Sequence, residues 1–176
     1  MADTDTPQRQ AASAFSLSEA ATNLLKEVET LRLTPYDDQT GNDIGAWVKG
    51  ATIGYGHLIQ KADWGRYRNG ITEAGAGQLL ADDLGPSIAV VQESITAAVS
   101  QNEFDAMVIL AFNIGPGFAQ SSVVKLINDP AAKTGYKNLE SAWKAWNKSQ
   151  GKVMQGLVNR RQCEWNIFSL AIYARW

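Results

Sequence analysis

The sequence predicts an α+β fold, mainly helical, with a small β-sheet lobe, a larger helical lobe and a cleft between them. Apolar residues recur at helical spacing over 17–30. Residues 33–60 then break into short apolar runs punctuated by Gly41, Gly45, Gly50, Gly54 and Gly56. From Thr72 the helical period returns and persists. A sheet this short does not stand alone, so it packs as a lobe against the helical body and leaves a cleft.

Taken in order, Ser16-Leu17-Ser18-Glu19 has the spacing of a capping box. Leu17, Ala21, Leu24, Leu25, Val28 and Leu31 follow on one face, which places the first helix over 17–30. Pro35 closes that pattern, because the residue before a proline is pushed out of the helical region. Ala46-Trp47-Val48 and Ala51-Thr52-Ile53 read as pieces of an antiparallel sheet with tight turns. Further helices are expected over 72–83, 86–99, 102–113, 120–128, 138–148 and 153–172, separated by Gly85-Pro86, Gly115-Pro116-Gly117 and Asp129-Pro130. One domain is expected over 16–176, its β-lobe at about 33–70 and its helical lobe at about 71–176 together with helix 17–30. Residues 1–15, polar and acidic, are expected to form a flexible tail.

At 176 residues the chain needs neither disulfides nor metal to fold. With 45% hydrophobic and 19% charged residues it is not a disordered chain. No apolar run reaches the roughly 18–20 residues of a membrane span, and the first 15 residues lack the apolar core of a secretory signal. Cys163 is the single cysteine, so no intramolecular disulfide forms, and its place in a helical pattern points to a buried, inert thiol. His57 is the single histidine and no CxxC or HExxH spacing occurs, so neither a metal nor a cofactor is expected. The formal charge of −2 argues against general nucleic-acid binding. It conceals an asymmetry: residues 1–132 hold 8 basic and 16 acidic side chains, and residues 133–176 hold 8 basic and 2 acidic. Lys144, Lys148 and Lys152, in the basic part, are candidates for steering the protein to an anionic surface.

Glu29 closes the first helix and Asp38, nine residues later, opens the sheet, so the two can face each other across the cleft. Such a pair suits glycoside hydrolysis, in which one carboxyl protonates the leaving oxygen and the other handles water or the developing cation. Their environments must then differ, so that one stays protonated near neutral pH. Acid pairs at this spacing are common, and spacing alone does not separate a catalytic pair from two surface charges. Glu27 and Asp37, the neighbouring acids, are expected to point elsewhere and be solvated. Asp43 reads as a turn residue, and Trp143 and Trp146, three apart on a helix, as core.

A longer series bears on the choice. Glu29, Leu31, Arg32, Leu33, Tyr36 and Asp38 precede the string Thr52-Ile53-Gly54-Tyr55-Gly56-His57. Ile71-Thr72, Leu79-Leu80, Asp83, Phe104-Asp105-Ala106, Phe112-Asn113-Ile114-Gly115, Ser121-Ser122, Gly156-Leu157-Val158-Asn159-Arg160-Arg161 and Glu164 follow in order. In this series, from about Leu17 to Phe168, the chain resembles the phage-type lysozymes, the muramidase family of T-even and lambdoid endolysins.

The resemblance implies a lysozyme-like fold and a muramidase that hydrolyses the β-1,4 bond between N-acetylmuramic acid and N-acetylglucosamine in peptidoglycan. Glu29 would be the general acid. Asp38 would stabilise the oxocarbenium-like state or orient the attacking water, which Thr52 would hold. The family inverts the anomeric carbon, which implies carboxyls about 6.5–9.5 Å apart. Arg160 would pair with Glu29 from the helical lobe, and His57 with Asp83 in an ion pair joining the lobes. Tyr55, Asn113 and Trp64 would line the substrate cleft; Trp64 and Tyr67 can equally serve packing. Gly54 and Gly56 would provide tight backbone geometry. The sequence departs from the family at Thr30, where the pattern has glycine, and in the longer 39–51 and 60–70 connections, the first of which, with Trp47, is expected to extend a hairpin over the cleft. The implied partner is the glycan strand of peptidoglycan, bound by a monomer without membrane insertion. The implied route is accumulation in the host cytoplasm until a separate pore-former opens the way to the wall. A lytic transglycosylase and a non-catalytic peptidoglycan-binding module of the same fold are the alternatives. Deployment as a bacterial effector would use the same chemistry.

Overall fold

A computed structural model describes residues 8–176. The chain forms two compact units, one of residues 25–85 and one of residues up to Leu24 together with Pro86–Trp176. The smaller unit is therefore larger than the lobe expected at 33–70. It takes in the end of the first helix and the first part of the long helix that follows the sheet. Leu79, on that helix, belongs to the apolar cluster of Ala51, Ile53, Ile59 and Tyr67, which is why the helix cannot be assigned wholly to the other unit.

In the smaller unit, β2 (Arg32–Asp37), β3 (Ala51–Gly54) and β4 (His57–Leu58) make an antiparallel sheet in that order. Pro35 lies in β2, where the register shifts between Arg32 and Tyr36; a proline cannot donate to the ladder, and an irregularity accommodates it. The turn from β3 to β4 has Gly54 and Gly56 at positive φ (69° and 92°), the geometry these glycines were expected to provide. The 39–51 connection adds to the core of this unit. Ile44, Trp47 and Val48 pack against its buried cluster, and the Trp47 indole N–H donates to the Ile59 carbonyl (2.9 Å). The short helix α2 (Trp64–Tyr67) packs there too, through Tyr67 and Trp64.

The first helix, α1 (Glu19–Val28), buries Ala21, Leu24 and Leu25. It starts two residues later than a Ser16 cap would place it. Ser18 is the cap: its Oγ accepts from the Ala21 N–H (3.1 Å). The acid that completes the cap is Asp105, not Glu19, and accepts from the Ser18 N–H (3.0 Å) and Ser18 Oγ (2.6 Å). The expected break at Gly85-Pro86 is absent, and α3 runs unbroken over Glu73–Ser94. Its proline costs the helix one hydrogen bond, which does not outweigh burial of Ala76, Leu80, Leu84 and Val91 on either side.

The larger unit centres on α4 (Gln101–Ile114), whose residues Phe104 to Ala111 are all buried. A full capping box formed by Ser100 and Glu103 starts it. α7 (Gln155–Leu170) packs on it, α6 (Leu139–Lys144) packs on α7, and α5 (Ser122–Asn128) packs on α6. The helix expected over 138–148 stops at Lys144, and the hairpin β6 (Lys148–Ser149) and β7 (Lys152–Val153) follows, turning through Gln150 and Gly151 at positive φ. Trp143 is fully buried, with Trp165 and Phe168 against it at 6.1 and 5.2 Å between ring centroids. Trp146, by contrast, is exposed.

The flexible tail expected over 1–15 does not extend through residues 9–15. β1 (Gln10–Ala11) pairs with β5 (Ala98–Val99), Ala12 is buried, and the Arg9 guanidinium reaches Glu103 (2.8 Å) and the Ala98 carbonyl. Residues 1–7 of that expectation lie outside the described residues. Among the described residues no helix is long and apolar enough to cross a membrane.

Asp105 is fully buried, and besides Ser18 it accepts from the Gln101 amide (2.8 Å) and the Tyr173 hydroxyl (2.6 Å). Burial, then the bond to Asp105 and its charge, hold the Tyr173 phenol far above its ordinary value. A phenol raised in the folded state stabilises the fold fully below its unfolded value of about 10, and the gain is lost as pH rises beyond that. Stability is therefore expected to fall above about pH 10, and Tyr173→Phe to flatten that fall while costing about 1 kcal/mol at neutral pH. Urea unfolding of both proteins at neutral and alkaline pH checks this. Parallel pH profiles would sink it.

Candidate active site

Glu29 follows the last residue of α1, and its N–H still donates to the Leu25 carbonyl (2.9 Å). The side chain is half-buried and partnered. Asp38 follows the end of β2 and is exposed, whereas Thr52, in β3, is buried. All three belong to the 25–85 unit. The Gly50 carbonyl joins two of them: it accepts from the Asp38 N–H (3.1 Å) and from the Thr52 hydroxyl (2.9 Å). Since that hydroxyl has one proton, Thr52 Oγ is left with acceptor capacity only.

Tyr36 reports on both acids. Burial raises its phenol, the Arg32 guanidinium opposes this, and the charges of Asp38 and Glu29 add to the rise. The phenol thus lies in the field of both carboxylates. Arg32 stacks over the Tyr36 ring (4.6 Å) and pairs with Asp43 (2.6 Å). Asp43 was expected as a plain turn residue; this pairing instead fastens the 39–51 connection to β2. Asp37 is turned into its own turn, where it accepts from the Gln39 N–H (3.0 Å) and the Thr40 hydroxyl (3.0 Å).

Gly50 went unnoticed as a site residue in the sequence. Its φ is +97°, and a Cβ there would lie 2.3 Å from Asp38 Oδ1. Only the absence of a side chain lets Asp38 sit where it does. Gly50→Ala is expected to displace the Asp38 carboxylate and lower the catalytic rate by about 10²-fold, the order of loss that a misplacement of about 1 Å produces. Activity within a factor of three of wild type would contradict this.

His57 and Asp83 meet as expected, His57 Nδ1 lying 3.0 Å from each Asp83 oxygen. Both residues belong to the 25–85 unit, so the pair ties β4 to α3 within that unit and does not join two lobes. The His57 ring meets Tyr67 edge-on at 5.5 Å. Tyr55 is buried and Trp64 is half-buried against the apolar cluster.

Arg160 and Asn113 lie in the other unit. Asn113 is exposed and helps line a cavity of about 390 Å³ with Ile114, Trp146, Lys148, Ser149 and Leu157. Its Oδ1 accepts from Arg161 Nη2 (2.7 Å). Glu164 organises this region. Fully buried, it accepts from Arg160 Nε (3.1 Å), Arg161 Nη2 (2.9 Å) and the Trp143 indole (3.0 Å). Burial pushes its carboxyl above the ordinary range, against the pull of the two guanidiniums and the indole. The signal in the sequence was its spacing, one helical turn after Arg160 and Arg161.

The basic segment does not present one lysine face. Lys144 pairs with Glu140. Lys148 stands opposite Val153 and Lys152 opposite Ser149, so the two lysines project from opposite faces of their hairpin. Cys163 is half-buried, and burial with the nearby Glu164 pushes its thiol up, away from the reactive thiolate. Among the described residues no group of three His, Cys, Asp or Glu side chains is placed to hold a metal ion.

The family model described as Phage lysozyme matches residues 26–164. The endolysin of Bacillus phage PZA is 37% identical over 156 residues, 88% of this chain and 55% of that protein. The endolysin of Bacillus phage B103 is 33% identical over 88% of this chain and 54% of its own length. The chain thus spans about half the length of these two relatives. Among solved structures, the endolysin from Escherichia coli O157:H7 phage FAHEc1 superposes with a TM-score of 0.71 at 28% identity, covering 92% of this chain and 98% of that one.

Proposed function

The chain belongs to the phage lysozyme family, and from that premise we propose that it is an endolysin-type muramidase, cutting the β-1,4 bond between N-acetylmuramic acid and N-acetylglucosamine in peptidoglycan. The observation that carries the mechanism is the Gly50 carbonyl shared by the Asp38 N–H and the Thr52 hydroxyl. A water beside these two groups donates one hydrogen to Thr52 Oγ, which can only accept, and the other to the Asp38 carboxylate. Its lone pair is then aimed at the anomeric carbon.

Glu29 transfers its carboxyl proton to the glycosidic oxygen as the bond from that oxygen to the anomeric carbon breaks. The water oxygen bonds to the opposite face of the carbon and gives its proton to Asp38. The sugar is released with inverted configuration, Glu29 ionised and Asp38 protonated, and exchange with solvent restores both. The enzyme acts as a monomer, collects in the host cytoplasm and reaches the wall through a separate pore-former. Expression without a pore-former should leave cells intact, and spontaneous lysis would overturn that route.

Mass spectrometry of purified peptidoglycan after digestion tests the reaction. Hydrated muramic acid ends are expected, and NMR of the first product should show the inverted anomer. Anhydro ends would select a transglycosylase, and binding without new ends a non-catalytic module; either result overturns the proposal.

A further inference from the structure

Arg32 belongs to the family series, yet no step of the proposed reaction uses it. Asp43 stands in the 39–51 connection, which is longer here than in the family pattern. The two meet around the turn that carries Asp38, and all three residues belong to the 25–85 unit.

That turn leaves β2 at Asp37 and returns at Asn42. The Asp37 N–H donates to the Asn42 carbonyl (2.9 Å), the Gly41 N–H to the Asp37 carbonyl (2.7 Å), and the Asp38 N–H to the Gly50 carbonyl (3.1 Å). The returning arm then runs beside β2, where Asp43 bridges to Tyr36 and the Ile44 N–H donates to the Pro35 carbonyl (3.0 Å). One side chain grips this arm at two points. From the start of β2, Arg32 donates through Nη1 to the Gly41 carbonyl (3.2 Å) and through Nη2 to Asp43 Oδ1 (2.6 Å). The guanidinium also lies over the Tyr36 ring, 4.6 Å from its centroid, and stacking of this kind fixes the plane of the fork.

We propose that Arg32 is a positioning residue for the reaction: with Asp43 it clasps the returning arm of the 37–42 turn and so keeps the Asp38 carboxylate in place for the attacking water. This rests on the reading of Asp38 as the carboxylate that takes the proton of that water. Asp43 is exposed, and an exposed ion pair contributes little to global stability. Its effect is local. A misplacement of about 1 Å costs a rate of about 10²-fold, and a turn released at one arm shifts by less, which corresponds to about a tenfold loss.

The test is a cycle of four full-length proteins, wild type, Arg32→Ala, Asp43→Ala and the double variant, assayed on soluble uncrosslinked glycan strands. Arg32→Ala is expected to lower kcat about tenfold with KM nearly unchanged. Asp43→Ala leaves the Gly41 contact and should lose part of that, and the double variant should be no slower than Arg32→Ala. Amide hydrogen exchange in the same proteins gives a second readout. Exchange of the Asp38 N–H should quicken about fivefold in Arg32→Ala, the factor that a surface contact of this strength supplies. The Ile59 N–H, bonded to the Ala51 carbonyl (2.7 Å) outside the turn, should keep its wild-type rate. If Arg32→Ala melts below the assay temperature, Asp43→Ala, altered at an exposed position, carries both measurements. Wild-type kcat in Arg32→Ala, a loss confined to KM, losses that multiply in the double variant, or a lost rate with Asp38 exchange unchanged would each overturn the proposal while leaving the muramidase reading intact. A wild-type protein that cuts no strands would overturn that reading and, with it, the proposal.

Discussion

Replacing Glu29 by glutamine is expected to lower the rate of bond cleavage by about 10²–10⁴-fold, the range that a general acid contributes. The amide has the shape of the carboxyl and cannot deliver a proton to the glycosidic oxygen. A second readout is available in the same variant. At the alkaline pH where phenols titrate, Glu29 is one of two carboxylates that raise the Tyr36 phenol. Glutamine removes that charge, and the Tyr36 titration should move down. A variant that keeps a tenth of the wild-type rate would remove Glu29 from the mechanism, whatever Tyr36 does.

The largest effect on stability is expected at Asp105, far from the proposed chemistry in the sequence. Its carboxylate gathers the Ser18 N–H and hydroxyl, the Gln101 amide and the Tyr173 hydroxyl. Asp105→Ala strips these donors of their acceptor at a fully buried position. Hydrogen bonds to a charged group are worth more than neutral ones, and several are lost together, so the expected cost is about 3–4 kcal/mol. Part of the loss falls on α1, which loses the support of its cap. Urea denaturation measures the change, and a cost under about 1 kcal/mol would show that water replaces the carboxylate freely.

Local patterns made much of this legible in the sequence. The period of the apolar residues located the helices, and the Thr52–His57 string located the turn from β3 to β4 with its two positive-φ glycines. The pairing of His57 with Asp83 followed from the resemblance. What escaped notice depends on partners remote in the sequence. Ser16 has the local capping-box spacing, but Ser18 is the cap, held by Asp105, 87 residues away. Propensity predicts a break at Pro86, but the apolar residues flanking it keep α3 whole. The packing of Trp47 against the cluster of Ile53 and Ile59 depends on residues that its own stretch of sequence does not contain. Gly50 looked like one turn glycine among several, and its meaning depends on an oxygen of Asp38 that a Cβ would touch.

The pairing of Gln10–Ala11 with Ala98–Val99 and of Ser18 with Asp105 has a consequence for the order of folding. Residues 25–85 emerge from the ribosome as a continuous stretch and can collapse on their own apolar cluster. Residues 8–24 cannot reach their partners until the chain has grown through Asp105, about 4–17 s later at ordinary elongation rates of about 5–20 residues per second. Closing a loop of that length also carries an entropic cost of about 4 kcal/mol. The smaller unit is therefore expected to be structured first during synthesis, and residues 8–24 to be fixed among the later events, when α4 arrives to receive them.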